Sequence, residues 1–173
     1  MDKTPIALRS ARAGDIDAIM GLERGPGFEA LVGRSSRAEH EDMLASPRYQ
    51  YFVGERAEVE AFAILRDLDD PHGNVYLKRI AVARPGQGAG AEFLGLVVER
   101  AFATSPAHRF HLDCFDDNFR AQAMYAKLGF RRDGVLREAY LGPDGRRRDL
   151  VMMALTRPEW ASQGRRCSTI SAP

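Results

Sequence analysis

A cluster of glycines between residues 85 and 91 is the part of this sequence best suited to bind an anion. The segment reads PGQGAGA and stands between a run typical of a β-strand and a run typical of a helix. Glycine lets the backbone approach a ligand closely, and the free N–H groups at a helix N-terminus attract negative charge. The segment therefore predicts a pyrophosphate site, with a sharp turn that binds no ligand as the alternative.

Two other phosphate-binding patterns can be compared with this loop. A Walker A loop is excluded because no Gly-Lys-Ser/Thr sequence follows. Gly86, Gly88 and Ala91 do satisfy the G-x-G-x-x-A fingerprint of dinucleotide-binding folds, and Asp113 ends a later strand. Only one helix and an antiparallel pair of strands are predicted after Asp113, so the second half of such a fold is missing. A dinucleotide-binding oxidoreductase is therefore the less favoured alternative.

Further side chains that could carry chemistry lie between residues 111 and 125. His111 and Asp113 share one face of a predicted strand, whereas Cys114 lies on the apolar face and is expected in the core. Asn118 and Tyr125 are seven residues apart on a predicted helix, so they share one helical face about 10 Å apart along the axis. Asn118 also suits a helix N-cap, and Tyr125 suits a core position. No cluster has metal-ligand spacing, so no metal is expected.

The elements that must position these residues follow from hydrophobic periodicity, in the order βα(α)βββαβαββ. This order predicts an α/β (α+β) fold with a mixed, mostly antiparallel sheet of about seven strands and helices on both faces. A single domain is expected over residues 1–160, followed by a tail over 161–173. The predicted strands are 6–12, 49–55, 59–66, 75–83, 110–115, 130–140 and 147–155. Four helices are predicted. One begins after Asp15 as its N-cap, two cover residues 37–44 and 94–102, and the fourth covers 121–128 and ends at Gly129.

Composition sets the broad class. The chain has 173 residues, enough for one domain with a substantial core, and its formal net charge of +1 gives no reason to expect nucleic-acid binding. No apolar run approaches the roughly 20 residues that a membrane span needs, and residues 1–12 lack a signal-peptide pattern. Two cysteines, Cys114 and Cys167, are not required to form a disulfide. We expect a cytoplasmic monomer or homodimer without membrane or nucleic-acid partners.

Two motifs, in this order and spacing, resemble those of the GNAT N-acetyltransferase superfamily. Residues 79–82, RIAV, followed by GQGAG at 86–90, resemble the acetyl-CoA motif R/Q-x-x-G-x-G/A. Residues 118–130, NFRAQAMYAKLGF, are similar to the second motif, N-x-x-A-x-x-x-Y-x-x-x-G-F. The segment 149–160 is similar to the branch that acetylates ribosomal-protein N-termini and polyamines. One departure is Pro85, which stands where the family usually has Arg or Gln.

The resemblance implies an acetyl-CoA-dependent N-acetyltransferase that acts on a primary amine of a small molecule or a protein N-terminus, by direct attack in a ternary complex. In that family Tyr125 would be the general acid that protonates the thiolate. Asp113 would be the base, where ribosomal-protein acetyltransferases have Glu, with His111 as its substitute. A non-catalytic acetyl-CoA-binding sensor is the alternative. The residues implied in acetyl-CoA binding are Ile80, Ala81, Val82, Gln87, Gly88, Ala89, Gly90, Ala91, Asn118 and Tyr125.

Overall fold

The computed structural model describes residues 4–28 and 33–164, which form a seven-stranded sheet and five α-helices. The strands lie in the order β1-β2-β3-β4-β5-β7-β6, and all neighbours are antiparallel except β4 and β5. The predicted mixed, mostly antiparallel sheet is therefore confirmed. The elements are β1 (Ala7–Ser10), α1 (Ile16–Glu23), α2 (Arg37–Ala45), β2 (Tyr49–Glu55), β3 (Val59–Arg66), β4 (Asn74–Val82), α3 (Ala89–Thr104), β5 (Arg109–Phe115), α4 (Phe119–Lys127), β6 (Arg131–Leu141), β7 (Arg147–Thr156) and α5 (Arg157–Ser162).

Helices cover both faces of the sheet, as the sequence predicted. The larger core lies under α3, whose apolar stripe recurs every three or four residues and is buried against alternate residues of β3, β4 and β5. A smaller cluster lies under α1 and α2 on the opposite face, and its buried strand residues come from β2, β3 and β4. Because side chains alternate along each strand, neighbouring residues of β4 and β5 serve the two faces in turn.

The two parallel strands, β4 and β5, are paired over only three residues each. Asn74, Val75 and Tyr76 face residues 109–111, whereas β4 continues to Val82 and β5 continues to Phe115. An irregularity in the β3–β4 register leaves Lys78 without a Cα partner, and such a bulge bends the strand that contains it. We call the opening between residues 77–82 and 112–115 the fork. It places unpaired backbone of β4 in the middle of the sheet.

Two details differ from the sequence prediction. Helix α1 begins at Ile16 as predicted, but the Asp15 side chain makes no cap hydrogen bond and instead accepts from Arg9 and from the N–H of Arg12. Helix α5, which the sequence analysis did not predict, begins after Thr156, whose side chain accepts from the N–H of Glu159. Residues 29–32 of the predicted connection 24–37, residues 165–173 of the predicted tail, and thus Cys167, lie outside the described residues.

Candidate active site

The glycine loop leads directly from the fork into helix α3. Gly86 and Gly88 have φ values of +86° and +84°, in the left-handed region that glycine adopts without strain, and α3 begins immediately afterwards at Ala89. A Cβ added to either glycine would meet no atom within 4 Å, so the space in front of this helix N-terminus is open. The loop therefore has the conformation and access that the predicted pyrophosphate site requires.

Gly90 has a different role from the two loop glycines. It lies inside α3 without a positive φ, and a Cβ there would be 3.0 Å from the Sδ of Met124 on α4. Its small size allows the close approach of α3 and α4. Ala89 beside it is buried, whereas Gln87 and Gly88 are exposed. A substitution at Gly88 therefore tests the loop, while one at Gly90 also disturbs the packing between two helices.

The fork is the second component of the site. Ile80, Ala81 and Val82 pair with β3 on one side, and in the described part of the chain no strand pairs with them on the other. The side chains of Ala81 and Val82 are buried, so they pack in the core while the free strand edge faces the opening. An unpaired edge of this kind can hydrogen-bond an extended ligand as an added strand.

Helix α4 brings Asn118 and Tyr125 to the fork. The Oδ1 of Asn118 accepts from the N–H of Ala121 at 3.2 Å, which confirms the predicted N-cap. Tyr125 is 6% exposed, and burial raises its pKa well above the usual tyrosine value. The negative charges that Cys114, Asp113 and Tyr76 can carry raise the pKa of Tyr125 further. The phenol therefore stays protonated at neutral pH. Tyr125 packs in the core under α3, and Asp113 acts on it through its charge and not through a hydrogen bond.

Asp113 and His111 lie on the face of the sheet opposite α3, as the alternation of β5 predicted. The hydroxyl of Tyr76 donates to Oδ2 of Asp113 at 2.7 Å, and the rings of Tyr76 and His111 are 5.1 Å apart. Burial, assisted by the positive charges of Arg109 and Arg66, lowers the pKa of His111. Sequence reasoning missed Tyr76 because its neighbours are set by strand pairing, for which the sequence carries no local signal.

Cys114 faces the core under α3 and α4, which confirms its predicted position. Burial raises the pKa of its thiol to about 11. A nucleophilic cysteine needs a thiolate near neutral pH, so Cys114 is a packing residue. Among residues 4–28 and 33–164, no group of three or more His, Cys, Asp and Glu side chains could hold a metal ion. None of the helices in this part of the chain is long and apolar enough to cross a membrane.

A buried ionic cluster, also missed by the sequence analysis, links α1 and α2 to β4 beside the fork. The fully buried carboxylate of Glu23 accepts from Arg79 at 2.7 Å, from Arg24 at 2.7 Å and from the N–H of Ser35 at 3.0 Å. The Nε2 of the equally buried His40 lies 3.3 Å from the same carboxylate. Arg79 lies within the unpaired part of β4 and directly precedes Ile80, so this cluster anchors the strand edge of the fork.

An open glycine loop at a helix N-terminus, next to a sheet opened between two parallel strands, is an arrangement of an α/β protein suited to an extended, phosphorylated ligand. The acetyltransferase (GNAT) family model matches residues 18–130, and the chain belongs to this family. The family assignment made from the two motifs is therefore confirmed. The family and the mostly antiparallel sheet do not favour the dinucleotide-binding oxidoreductase.

Similar proteins are known at the level of sequence and of structure. The ribosomal protein uS5-alanine N-acetyltransferase of Escherichia coli (strain K12) is 35% identical over 75 residues, which are 43% of this chain and 38% of that relative. The structure of spermidine N-acetyltransferase from Vibrio cholerae with CoA and spermine is 20% identical, with a TM-score of 0.80 over 92% of this chain and 99% of that chain. A mutant of the same enzyme gives 19% identity and a TM-score of 0.81 over 94% and 99%. These structures share the fold.

Proposed function

We propose that this protein transfers an acetyl group from acetyl-CoA to a primary amine, by direct attack in a ternary complex. The observation that carries the proposal is the fork between β4 and β5, which continues into the glycine loop at the N-terminus of α3. Membership of the GNAT family supports the acetyl donor. The names of two similar proteins, a ribosomal-protein alanine N-acetyltransferase and a spermidine N-acetyltransferase, support an amine as acceptor.

The donor would be held by backbone more than by side chains. The N–H groups of the loop and of the first turn of α3 would bind the pyrophosphate, so Pro85 in place of Arg or Gln need not prevent binding. The free edge of β4 would pair with pantetheine. Acetyl-CoA supplies an activated thioester. The residues proposed for its binding are Ile80, Ala81, Val82, Gln87, Gly88, Ala89, Gly90, Ala91, Asn118 and Tyr125.

The reaction forms a C–N bond, breaks a C–S bond and moves two protons. An amine attacks only when neutral, so its proton must be removed, and we assign this role to Asp113, acting directly or through a water molecule. His111, on the same face with a lowered pKa, is the alternative base. The departing thiolate needs a proton, and the buried, protonated phenol of Tyr125 can donate it. The second proton, which the nitrogen loses as the amide forms, restores the phenol, and the first leaves Asp113 for solvent. An amide N–H in the fork near Val82 would stabilise the oxyanion.

The first experiment separates donor binding from acetyl transfer. Acetyl-CoA at about 100 times its Kd stabilises a folded protein by about 2.7 kcal/mol, which raises the Tm of a domain of this size by about 5–10 °C. NAD and NADP serve as controls and should give no shift. A shift with either dinucleotide but not with acetyl-CoA would contradict the proposal.

The second experiment identifies the acceptor. Release of CoA thiol is measured with spermidine, spermine and a short peptide that begins with alanine, each beside a control in which every amine is acetylated. We expect one class of free amine to release CoA and its acetylated counterpart to release none. Tight acetyl-CoA binding without turnover of any amine would instead favour a binding module.

A further inference from the structure

Tyr76 occupies the vertex of the fork. It is the last residue of β4 paired with β5, where its partner is His111. Beyond Tyr76 the two strands separate, so its backbone is the last part of β4 held by hydrogen bonds to β5 before the opening. Its side chain lies on the face opposite α3, and the apolar cluster under α1 and α2 takes its buried strand residues from β2, β3 and β4 within the described chain. Tyr76 is half-buried on this face, beside the fork.

Three contacts hold the Tyr76 side chain. The guanidinium carbon of Arg66 lies 4.5 Å from the centre of its ring, and the His111 ring is 5.1 Å away at an interplanar angle of 42°. Its hydroxyl donates to Oδ2 of Asp113 at 2.7 Å. Burial raises the pKa of Tyr76, and the bond to Asp113 raises it further, so the hydroxyl keeps its proton and remains a donor. A hydrogen bond to a carboxylate is roughly twice as strong as one between neutral groups.

We propose that Tyr76 is a positioning residue for deprotonation of the acceptor amine. Its hydroxyl holds one oxygen of Asp113, so that the other oxygen is oriented to receive the amine proton, directly or through water. This inference rests on the proposed function. Correct orientation matters because a misplacement of about 1 Å in a reacting group can cost about 100-fold in rate. Tyr76 does not exchange a proton with the substrate; it acts through Asp113.

The test is a double-mutant cycle of wild type, Tyr76→Phe, Asp113→Asn and the double variant. Phenylalanine keeps the ring between Arg66 and His111 and removes only the hydroxyl. We expect Tyr76→Phe to lower kcat about 10–100-fold and Asp113→Asn about 100–10,000-fold, with the Kd for acetyl-CoA unchanged in both. The double variant should match Asp113→Asn within about twofold, because a residue that acts through Asp113 has no effect once the carboxylate is absent.

Tyr51→Phe is the matched control. Among the described residues its hydroxyl also has one side-chain hydrogen-bond partner, Nδ1 of His40 at 3.0 Å, but it lies in the cluster under α1 and α2. We expect Tyr51→Phe to lower the Tm without lowering kcat. The inference is overturned if Tyr76→Phe keeps full kcat, or if the losses of the two single variants multiply in the double variant. A wild type that turns over no amine refutes the proposed function itself, and the inference falls with it.

Discussion

Replacing Glu23 by Gln is expected to lower the free energy of unfolding by about 3–5 kcal/mol, because it breaks a buried ion pair from one side. The carboxylate is fully buried, and the Arg79 side chain that donates to it at 2.7 Å is only 9% exposed. In the variant the guanidinium would remain in the interior without a counter-charge. The second partner, Arg24, is 37% exposed and can turn to water, so Arg79 carries most of the cost.

The geometry explains why the amide is a poor substitute. Both oxygens of Glu23 accept from donors: one faces Arg79, and the other faces Arg24, the N–H of Ser35 and Nε2 of His40. A Gln side chain presents an N–H₂ group to one of these sets, so donors face donors. For a domain of this size, each kcal/mol shifts the Tm by about 2–4 °C, which gives an expected fall of about 6–20 °C.

The assay is equilibrium urea unfolding followed by circular dichroism, with thermal unfolding as a second measurement. Asp17→Asn is the control: Asp17 pairs with Arg37, but their side chains are 83% and 47% exposed, so we expect a change below about 1 kcal/mol. The double variant Glu23→Leu/Arg79→Met should lose less free energy of unfolding than Glu23→Leu and Arg79→Met lose together as single variants, because neither charge is then buried alone. A Glu23→Gln protein as stable as Asp17→Asn would refute the reasoning.

Three further predictions concern the site itself. Tyr125→Phe keeps the packing of α4 but removes the proposed acid, so kcat should fall about 100–10,000-fold with acetyl-CoA affinity nearly intact; full activity would refute the acid role. Gly88→Val should weaken acetyl-CoA binding at least tenfold. Gly145→Val is the control and should not weaken binding, although Gly145 lies in the β6–β7 turn with a similar positive φ of +76° and equally open surroundings. Equal effects of the two variants would assign the loss of binding to backbone strain. The pKa of His111 is lowered in the folded protein, so the unfolded chain binds this proton at a higher pH. The free energy of unfolding should therefore fall as the pH drops below about 6.5. In urea titrations, His111→Gln should make the free energy of unfolding depend less on pH, and an unchanged pH dependence would contradict the prediction.

The residues proposed for catalysis were found by two different routes. Asp113, His111 and Tyr125 could be selected from the sequence, because the segment 118–130 resembles a GNAT motif and Asp113 and His111 lie on the strand just before it. Their roles remain predictions. Tyr76 could not be selected, since it meets Asp113 across 37 residues of sequence. That contact depends on which strands become neighbours.

The sequence by itself determined the order of the elements from β1 to β7, the glycine loop, the Asn118 N-cap and membership of the GNAT family. These depend on local properties: hydrophobic period, the positive φ that Gly86 and Gly88 permit, and side chains that bond backbone three residues away. The tertiary structure alone decided where β4 and β5 separate, which side chain holds Asp113, and how Glu23 and Arg79 meet inside the protein. Those features join residues far apart in the chain, and they form only when burial of the helices fixes strand order and register.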